Sequence, residues 1–271
     1  MNFLNKITVL ILTYNEEQNI GRTLEALTDF SDVVVLDSGS NDNTLDIVTK
    51  YPNARVITRP FDSHAVQWNY GLDACGIEGN WVLALDADYV VPKHLISEIS
   101  SLTPDSTTSG YKIGFRYCVF GRPLSGTLYP ANIALFKRAH AHFVQDGHTQ
   151  RVVVTGDIHF LKGKIDHDDR KSLNRWLTSQ ANYAKIESDH LLSTSWKNLR
   201  LQGKIRRLIV VAPLLVPLYC LTICRGFLDG WPGLFYAMQR GIAEGILAIH
   251  LLERKLLARS ILSDRCDYRT R

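Results

Sequence analysis

Short apolar runs alternate with polar, helix-like segments along the first hundred residues. The first run, residues 7–12 (ITVLIL), is too short for a helix and rich in branched side chains. Such a run is typical of a β-strand that is buried on both faces. Similar runs at residues 33–36, 55–58 and 81–85 predict three more strands. Strands that alternate with helices predict βαβ crossovers and a doubly wound, mainly parallel sheet.

Helices are predicted between these strands. Asn15 is a suitable N-cap for a helix that runs to about Leu27. Two further helical patterns cover residues 43–51 and 64–75.

The pattern changes after residue 110. Strand-like runs at residues 111–120, 133–137 and 151–156 follow one another without long helices, which predicts a mixed extension of the sheet. Helical periodicity then begins after residue 170. We therefore predict an α/β domain over residues 1–169 and a helical region over residues 170–271.

An apolar segment interrupts the helical region. Residues 208–224 are uncharged, have basic residues on both sides and contain Pro213 and Pro217. A membrane-spanning helix needs about 20 apolar residues, and the two prolines would kink a helix here. The segment is either a buried helix of a soluble protein or an interfacial segment on a membrane. Aromatic residues beyond it favour the interfacial interpretation.

Charge is divided unequally between the two regions. Residues 1–169 carry 14 Lys/Arg and 20 Asp/Glu, whereas residues 170–271 carry 17 Lys/Arg and 7 Asp/Glu. A basic second region suits an anionic membrane surface. The five cysteines form no C-x-x-C pair and the N-terminal residues do not resemble a secretory signal. Both features predict a reducing, cytoplasmic location.

Polar residues follow all four predicted strands of the first domain. They occupy residues 13–17, 37–42, 59 and 86–88. Ligands of open parallel sheets bind at the carboxyl ends of the strands, so we expect the chemistry there. Asp86-Ala87-Asp88 places two carboxylates around one small residue, a set of ligands that suits Mg²⁺ or Mn²⁺.

Four motifs in this order resemble the family-2 glycosyltransferases of GT-A fold. They are TVLILTYNEEQNIGRTLEAL, VVVLDSGSNDNTLDIV, AVQWNYGLDAC and WVLALDADYVVPKHL. The resemblance is dense over residues 6–100. It implies an inverting transferase that uses a nucleotide-diphosphate sugar and a divalent metal, Mn²⁺ or Mg²⁺.

The resemblance also implies which residues hold the nucleotide. Thr13, Asn15 and Glu16 would line the nucleotide pocket. Asp37 would hold uracil or another base, so that a UDP-sugar is the expected donor. Asp86 would contact the ribose or diphosphate region and lie near the metal.

Further positions match the metal and the sugar. Asp88 is the expected direct metal ligand, and Arg59 and Asn69 match positions near the nucleotide sugar. The physical chemistry agrees, because a metal that bridges carboxylates and phosphates stabilises a departing diphosphate.

Inversion in one displacement needs a general base for the acceptor hydroxyl. We assign Asp146 as this base and His148 as a base or an additional metal ligand, although the segment also suits a polar turn. Asp168 and Asp169 are rivals for the base. His167 is interpreted as structural or as a neighbour of phosphate.

The second region resembles the subgroup that includes lipopolysaccharide core β-glucosyltransferases, through HDDRKSLNRWLTSQANYAKIE and GFLDGWPGLFYAM. The resemblance implies a lipid-linked or lipopolysaccharide-core acceptor. It also implies a peripheral or monotopic enzyme on the cytoplasmic face of the bacterial inner membrane.

Three alternatives stay open. They are a polyprenyl-phosphate glycosyltransferase, a nucleotidyltransferase and a non-catalytic membrane scaffold. No nucleic-acid partner is expected, because the sequence contains no recognisable binding module and the apolar run interrupts the basic charge.

Overall fold

The computed structural model describes residues 2–146 and 149–267, without the side chains of residues 146, 149 and 259–267. The chain forms two compact units, Met1–Lys171 (unit 1) and Ser172–Arg271 (unit 2). Each unit is described separately below.

Unit 1 is a mixed α/β structure. Its described strands are β1 (Ile7–Thr13), β2 (Asp32–Asp37), β3 (Ala54–Thr58), β4 (Trp81–Asp86), β5 (Tyr89–Val90), β6 (Thr108–Val119), β7 (Arg122–Pro123), β8 (Asn132–Lys137), β9 (Ala141–Asp146), β10 (Thr149–Val154) and β11 (Asp157–His167). Its described helices are α1 (Ile20–Glu25), α2 (Thr44–Val48), α3 (His64–Ala74) and α4 (Lys93–Ser100).

The main sheet has the strand order β3-β2-β1-β4-β8-β6-β11-β5, with β7 paired to β6. The strands β3, β2, β1 and β4 are parallel. Strand β8 is antiparallel to both β4 and β6, and β11 is parallel to β6. Strands β6 and β11 therefore run in the same direction as β4. The predicted mixed, mainly parallel sheet is confirmed, and one edge collects the carboxyl ends of β1, β2, β4, β6 and β11.

The sheet is buried on both faces, which explains the continuous apolar runs. Along β1, Val9 and Ile11 belong to one hydrophobic cluster, whereas Leu10 belongs to the cluster on the other face. Helix α3 approaches Leu10 closely at Gly71, where an added Cβ would lie 2.7 Å from a Leu10 methyl carbon. The sheet is thus a rigid base for its polar edge.

The first predicted helix begins later than expected. Asn15 is not its N-cap, because Asn15 has a left-handed backbone with φ of 54° and α1 starts at Ile20. The Asn15 backbone N–H donates to Ser40 Oγ (2.7 Å), and Asn15 Oδ1 accepts from the Asn41 N–H (2.8 Å). The residues after β1 therefore form a loop bound to the loop after β2.

The predicted strand at residues 151–156 was expected to extend the main sheet, and this was wrong. Strand β10 pairs instead with β9 in a separate two-stranded sheet. The main sheet is extended by β11, which the sequence analysis did not predict.

Unit 2 is helical in its described part. Its helices are α5 (Leu173–Ser193), α6 (Leu201–Arg207), α7 (Val211–Thr222) and α8 (Trp231–Asp267). The Arg206 guanidinium donates to the Glu244 carboxylate (2.6 and 3.0 Å) and also to Glu187 (3.3 Å), and so joins α5, α6 and α8. Among the described residues, no helix combines the length and the apolar character that crossing a membrane requires.

Candidate active site at the carboxyl edge of the sheet

Asp37 ends β2 and organises the loop that follows it. Its side chain is buried, and its Oδ2 accepts hydrogen bonds from the backbone N–H groups of Gly39 and Ser40 (both 2.8 Å). The Ser40 hydroxyl donates to Oδ1. Gly39 has a φ of 92°, a conformation that favours glycine. Asp37 therefore fixes the shape of the loop at the end of β2.

The loop after β1 lies against this loop. Thr13 is opposite Asp37 in the parallel ladder, and the Glu16 N–H donates to Thr44 Oγ1 (2.7 Å). Thr13 Oγ1 is buried and has no hydrogen-bond partner among the described residues. The four residues assigned to the nucleotide pocket next to the β1 and β2 ends (Thr13, Asn15, Glu16 and Asp37) are thus close together. An unpartnered buried hydroxyl within that set is available to a ligand.

Asp88 lies just after the end of β4, and its carboxylate contacts His167, the last residue of β11. Its Oδ2 is 3.2 Å from His167 Nε2 and 3.9 Å from Lys171 Nζ. Its Oδ1 is buried and has no partner among the described residues. The backbone here is fixed from two sides, because Thr23 Oγ1 donates to the Ala87 carbonyl (2.7 Å) and the Asp168 N–H donates to the Asp88 carbonyl (3.0 Å).

The two carboxyls of the Asp86-Ala87-Asp88 motif differ in their electrostatics. Burial raises the pKa of Asp86 to about 6, and the negative Asp88 adds to this shift. Burial would also raise the pKa of Asp88, but His167 and Lys171 outweigh it and hold that pKa below its usual range. Asp88 therefore stays charged over a wide pH range, whereas Asp86 takes up a proton more readily than an ordinary aspartate does.

Lys171 connects Asp88 to the nucleotide-pocket residues. Its ammonium is 2.7 Å from Glu16 Oε1 and 3.6 Å from Asp169 Oδ1. Burial alone would lower the pKa of Lys171, but the surrounding carboxylates raise it above its ordinary value. Burial raises the pKa of Glu16 to about 7 despite the adjacent ammonium. Lys171 therefore remains a fixed positive charge among several acids.

His167 is enclosed by aromatic rings. The centroids of the Tyr89, Tyr117 and Tyr129 rings lie 5.1, 5.0 and 4.8 Å from that of its imidazole. Burial would lower the pKa of His167, but Asp88 raises it above the ordinary value. This packing fixes the imidazole with Nε2 next to Asp88.

Asp168 and Asp169, the two alternative candidates for the general base, both accept hydrogen bonds from neighbouring side chains. Asn19, which is fully buried, donates to Glu16 Oε2 (2.8 Å) and to Asp169 Oδ1 (3.0 Å). The Asp168 carboxylate accepts from the Gly121 N–H (2.9 Å) and from the Arg170 guanidinium (2.8 and 3.0 Å). These contacts favour a positioning role for Asp168 and Asp169 over a role as general base.

Arg59 lies next to Asp37, whereas Asn69 contacts strand β9. The Arg59 N–H donates to the Asp37 carbonyl (2.9 Å), and the Arg59 guanidinium pairs with Asp62 and with Gln67 Oε1 (2.6 Å). Asn69 exchanges two hydrogen bonds with the Phe143 backbone (2.8 and 2.9 Å). Asn69 therefore fixes the position of β9 rather than joining the residues near Asp37.

The assignments of Asp146 and His148 fall at the edge of the described structure. Asp146 is the last residue of β9, but its side chain is outside the described residues, as is all of His148. Within the described ranges, no group of three His, Cys, Asp or Glu side chains forms a metal cage. The described candidates for metal ligands are the two carboxyls of the Asp86-Ala87-Asp88 motif.

Lys171 and Asn19 were not predicted at the site, and His167 was predicted only as a structural residue or a neighbour of phosphate. A signal for His167 exists, because it follows Leu161, Gly163 and Ile165 at a spacing of two residues, as on one face of a strand. Recognising β11 would have placed His167 at the same edge as Asp88.

Part of the chain is similar in sequence to known glycosyltransferases. The sequence model of glycosyl transferase family 2 matches residues 8–116. An uncharacterised glycosyltransferase of Rickettsia typhi is 26% identical, and the alignment covers 96% of this chain and 91% of that one. The lipopolysaccharide core biosynthesis glycosyltransferase LpsC of Rhizobium meliloti is 25% identical, with 67% and 72% covered. Residues 1–349 of TarS of S. aureus in complex with UDP-GlcNAc superpose with a TM-score of 0.47, at 18% identity and 92% and 91% coverage. Residues 8–116 are thus similar to glycosyl transferase family 2.

Proposed function

We propose that the protein transfers a sugar, with inversion, from a nucleotide-diphosphate sugar to a lipid-linked or lipopolysaccharide-core saccharide. The expected donor is a UDP-sugar and the expected cofactor is Mn²⁺ or Mg²⁺. One observation carries the proposal. The charged, buried Asp88 keeps one oxygen that has no partner among the described residues, at the edge where Thr13, Glu16 and Asp37 also lie.

The residues at this edge fit a divalent cation. A carboxylate oxygen that has no partner among the described residues and a second carboxyl two residues away suit Mn²⁺. Asp88 and Asp86 would hold the ion, with His148 as the further ligand expected from the sequence, and His167 would orient the Asp88 carboxylate. When bound, the ion supplies Lewis-acid stabilisation of the departing diphosphate.

The remaining residues of the edge would bind and orient the donor. Lys171 offers a buried ammonium to the diphosphate, where removal from water strengthens its attraction for phosphate oxygens. The loop fixed by Asp37 and the free hydroxyl of Thr13 would receive the nucleoside. Asp146 would take the proton of the acceptor hydroxyl, and Asn69 holds the strand that ends at Asp146.

A membrane surface is proposed as the location of the acceptor. Unit 2 exposes an apolar surface on and around α7 and the start of α8, which consists of Leu208, Val210, Leu214, Leu215, Leu218, Tyr219, Ile223, Phe227, Leu228 and Trp231. An exposed apolar set of this size, next to the basic α6, is suited to anionic lipid. The likeness to the lipopolysaccharide core biosynthesis glycosyltransferase LpsC supports a lipopolysaccharide-core acceptor. The cytoplasmic face of a bacterial inner membrane is the expected location.

A donor screen tests the enzymatic part. Purified protein with Mn²⁺ is titrated calorimetrically with UDP- and GDP-sugars, and the released nucleotide and the anomeric configuration of the product are determined. We expect a UDP-sugar to bind and Asp88→Asn to weaken that binding at least about tenfold. Asp46→Asn, on an exposed residue of α2, is the control. Release of diphosphate ion would instead identify a nucleotidyltransferase, and no binding of any nucleotide sugar would indicate a scaffold.

Replacement of Asp146 distinguishes the two acceptor classes. A hydroxyl acceptor needs a base, so Asp146→Asn should stop turnover while donor binding persists. A polyprenyl phosphate is already anionic, and activity that survives this substitution would point to that alternative.

Vesicle sedimentation tests the membrane part. Leu214→Ser/Trp231→Ser should reduce binding to vesicles that contain phosphatidylglycerol, because both side chains are exposed on the apolar surface of unit 2. The matched control is Phe160→Ser/Leu173→Ser, which removes two exposed apolar side chains elsewhere. Equal sedimentation of the two variants would contradict the assignment of this surface.

A further inference from the structure

Unit 1 contains a second concave region beside β6 and β11. The cavity has a volume of about 560 Å³ and is lined by residues of α4, β6, β11 and the segment 124–131. Its position is separate from the loops that follow β1 and β2.

The charge of this cavity is uniformly basic. His94, Arg116, Lys162 and Lys164 line it, and none of the described lining residues is acidic. Glu98 lies nearby, but its two carboxylate oxygens accept from the backbone N–H groups of Lys162 and Gly163 (both 2.8 Å). Arg116 pairs with Asp166, whereas neither lysine side chain has a carboxylate partner within the described part of the chain. The positive charges of the two lysines are thus left without an ion pair there.

Two of the cationic groups, Arg116 and Lys164, are held in place by their surroundings. The Arg116 guanidinium is fixed through Nε and Nη2 by the Asp166 carboxylate (2.6 and 2.8 Å), which leaves Nη1 outside that pair. The stem of Lys164 lies across Gly114, where an added Cβ would be only 3.4 Å from Lys164 Cγ. Because Gly114 has no side chain, the lysine stem packs on the strand. Fixed donors lose less conformational entropy when they bind an anion.

An aromatic wall separates this cavity from the candidate active site. Tyr129 and Phe115 line the cavity. The Tyr129 ring also lies 4.8 Å from the His167 imidazole, and His167 contacts Asp88. The Tyr129 ring would therefore lie between a ligand in the cavity and His167, which contacts the proposed metal ligand Asp88.

We propose that this cavity, the anion pocket, binds a phosphoryl or carboxylate group carried on the acceptor saccharide, with Lys162, Lys164 and Arg116 as hydrogen-bond donors. The inference rests on the proposed sugar transfer, which it deepens by specifying an anionic acceptor. Lysine and arginine donors are suited to oxyanions, and a planar tyrosine ring is suited to the apolar face of a sugar.

Glucose 6-phosphate, glucose and inorganic phosphate are the probes for this pocket. Each is titrated calorimetrically into the full chain with Mn²⁺, with and without saturating UDP. We expect glucose 6-phosphate to bind more tightly than either other probe. Lys162→Gln/Lys164→Gln should weaken its binding at least about tenfold, the loss expected for one charge-assisted hydrogen bond. The control Lys50→Gln/Lys185→Gln removes two exposed lysines elsewhere and should leave this binding unchanged.

The outcomes separate this inference from the proposed function. Equal binding of glucose 6-phosphate to the double variant and the control would overturn the anion pocket. Inorganic phosphate that binds as tightly as glucose 6-phosphate would overturn its assignment to a saccharide. Failure of UDP to bind would contradict the proposed function, while the comparison without UDP still tests the pocket. Thermal melting verifies folding, and the single Lys162→Gln variant replaces the double variant if that one unfolds.

Discussion

Replacing Asp168 with asparagine tests whether this residue stabilises the fold through its ion pairs or takes part in catalysis. The buried Asp168 carboxylate receives two hydrogen bonds from Arg170 and one from the Gly121 N–H, and lies 3.5 Å from Arg22 Nε. Asparagine keeps an acceptor for Gly121 but removes the negative charge that both guanidinium groups face.

The size of the effect follows from these contacts. Each hydrogen bond to a charged group contributes about 1.5–3 kcal/mol, and removing one partner of a buried ion pair costs about 3–5 kcal/mol. Arg22 and Arg170 remain about one third exposed, so solvent screens part of the loss. We expect Asp168→Asn to lower the free energy of unfolding by about 3 kcal/mol. For a chain of this length that corresponds to a decrease in Tm of roughly 6–12 °C.

Urea and thermal unfolding followed by circular dichroism measure this loss. The matched control is Asp189→Asn, because Asp189 pairs with Arg254 (2.7 Å) where both side chains are about half exposed. Such a pair contributes about 0–1 kcal/mol. Equal stability of the two variants would refute the argument from burial. Lost turnover in a fully stable Asp168→Asn protein would restore Asp168 as a candidate base.

Three other predictions concern the metal, the helical unit and a strand start. EDTA should abolish turnover and Mn²⁺ should restore it, whereas Asp88→Asn should stay inactive at saturating Mn²⁺; turnover in EDTA would contradict the metal assignment. Gly241→Ala should destabilise unit 2 by about 1–3 kcal/mol in urea unfolding, because the new Cβ would lie 2.7 Å from a proline ring in α7. Gly245→Ala, which meets open space, should stabilise the helix slightly, and the opposite order would be inconsistent with this packing. Hydrogen bonds from Thr108 lower the pKa of Asp105 to about 2, so its contribution to stability is present above pH 4 and lost as the pH falls towards 2. The Tm difference between wild type and Asp105→Ala should therefore shrink over that range, and a constant difference would contradict it.

The sequence alone was sufficient for the parallel half of the sheet. Strands β1, β2 and β4 are buried on both faces, so their apolar runs are continuous and easily recognised. Because parallel strands bring their carboxyl ends to one edge, the sequence also placed Thr13, Asp37 and Asp86 together. The positions of these residues required only the strand boundaries and the direction of the chain.

The start of the first helix depended on tertiary contacts. Asn15 has the residue type of an N-cap, yet its amide group binds the loop after β2, and the chain adopts a left-handed conformation there. A local sequence preference does not include this partner, which is 25 residues away in the chain.

Only the tertiary structure decided how the site is completed. Strand β11 has mixed apolar and basic residues because it lies near the edge of the sheet, so its periodicity is weak, and it pairs with β6 about 50 residues earlier. That pairing brings His167 to Asp88 and Lys171 to Glu16. Contacts of this kind depend on the register of distant strands, for which local hydrophobic patterns contain no information.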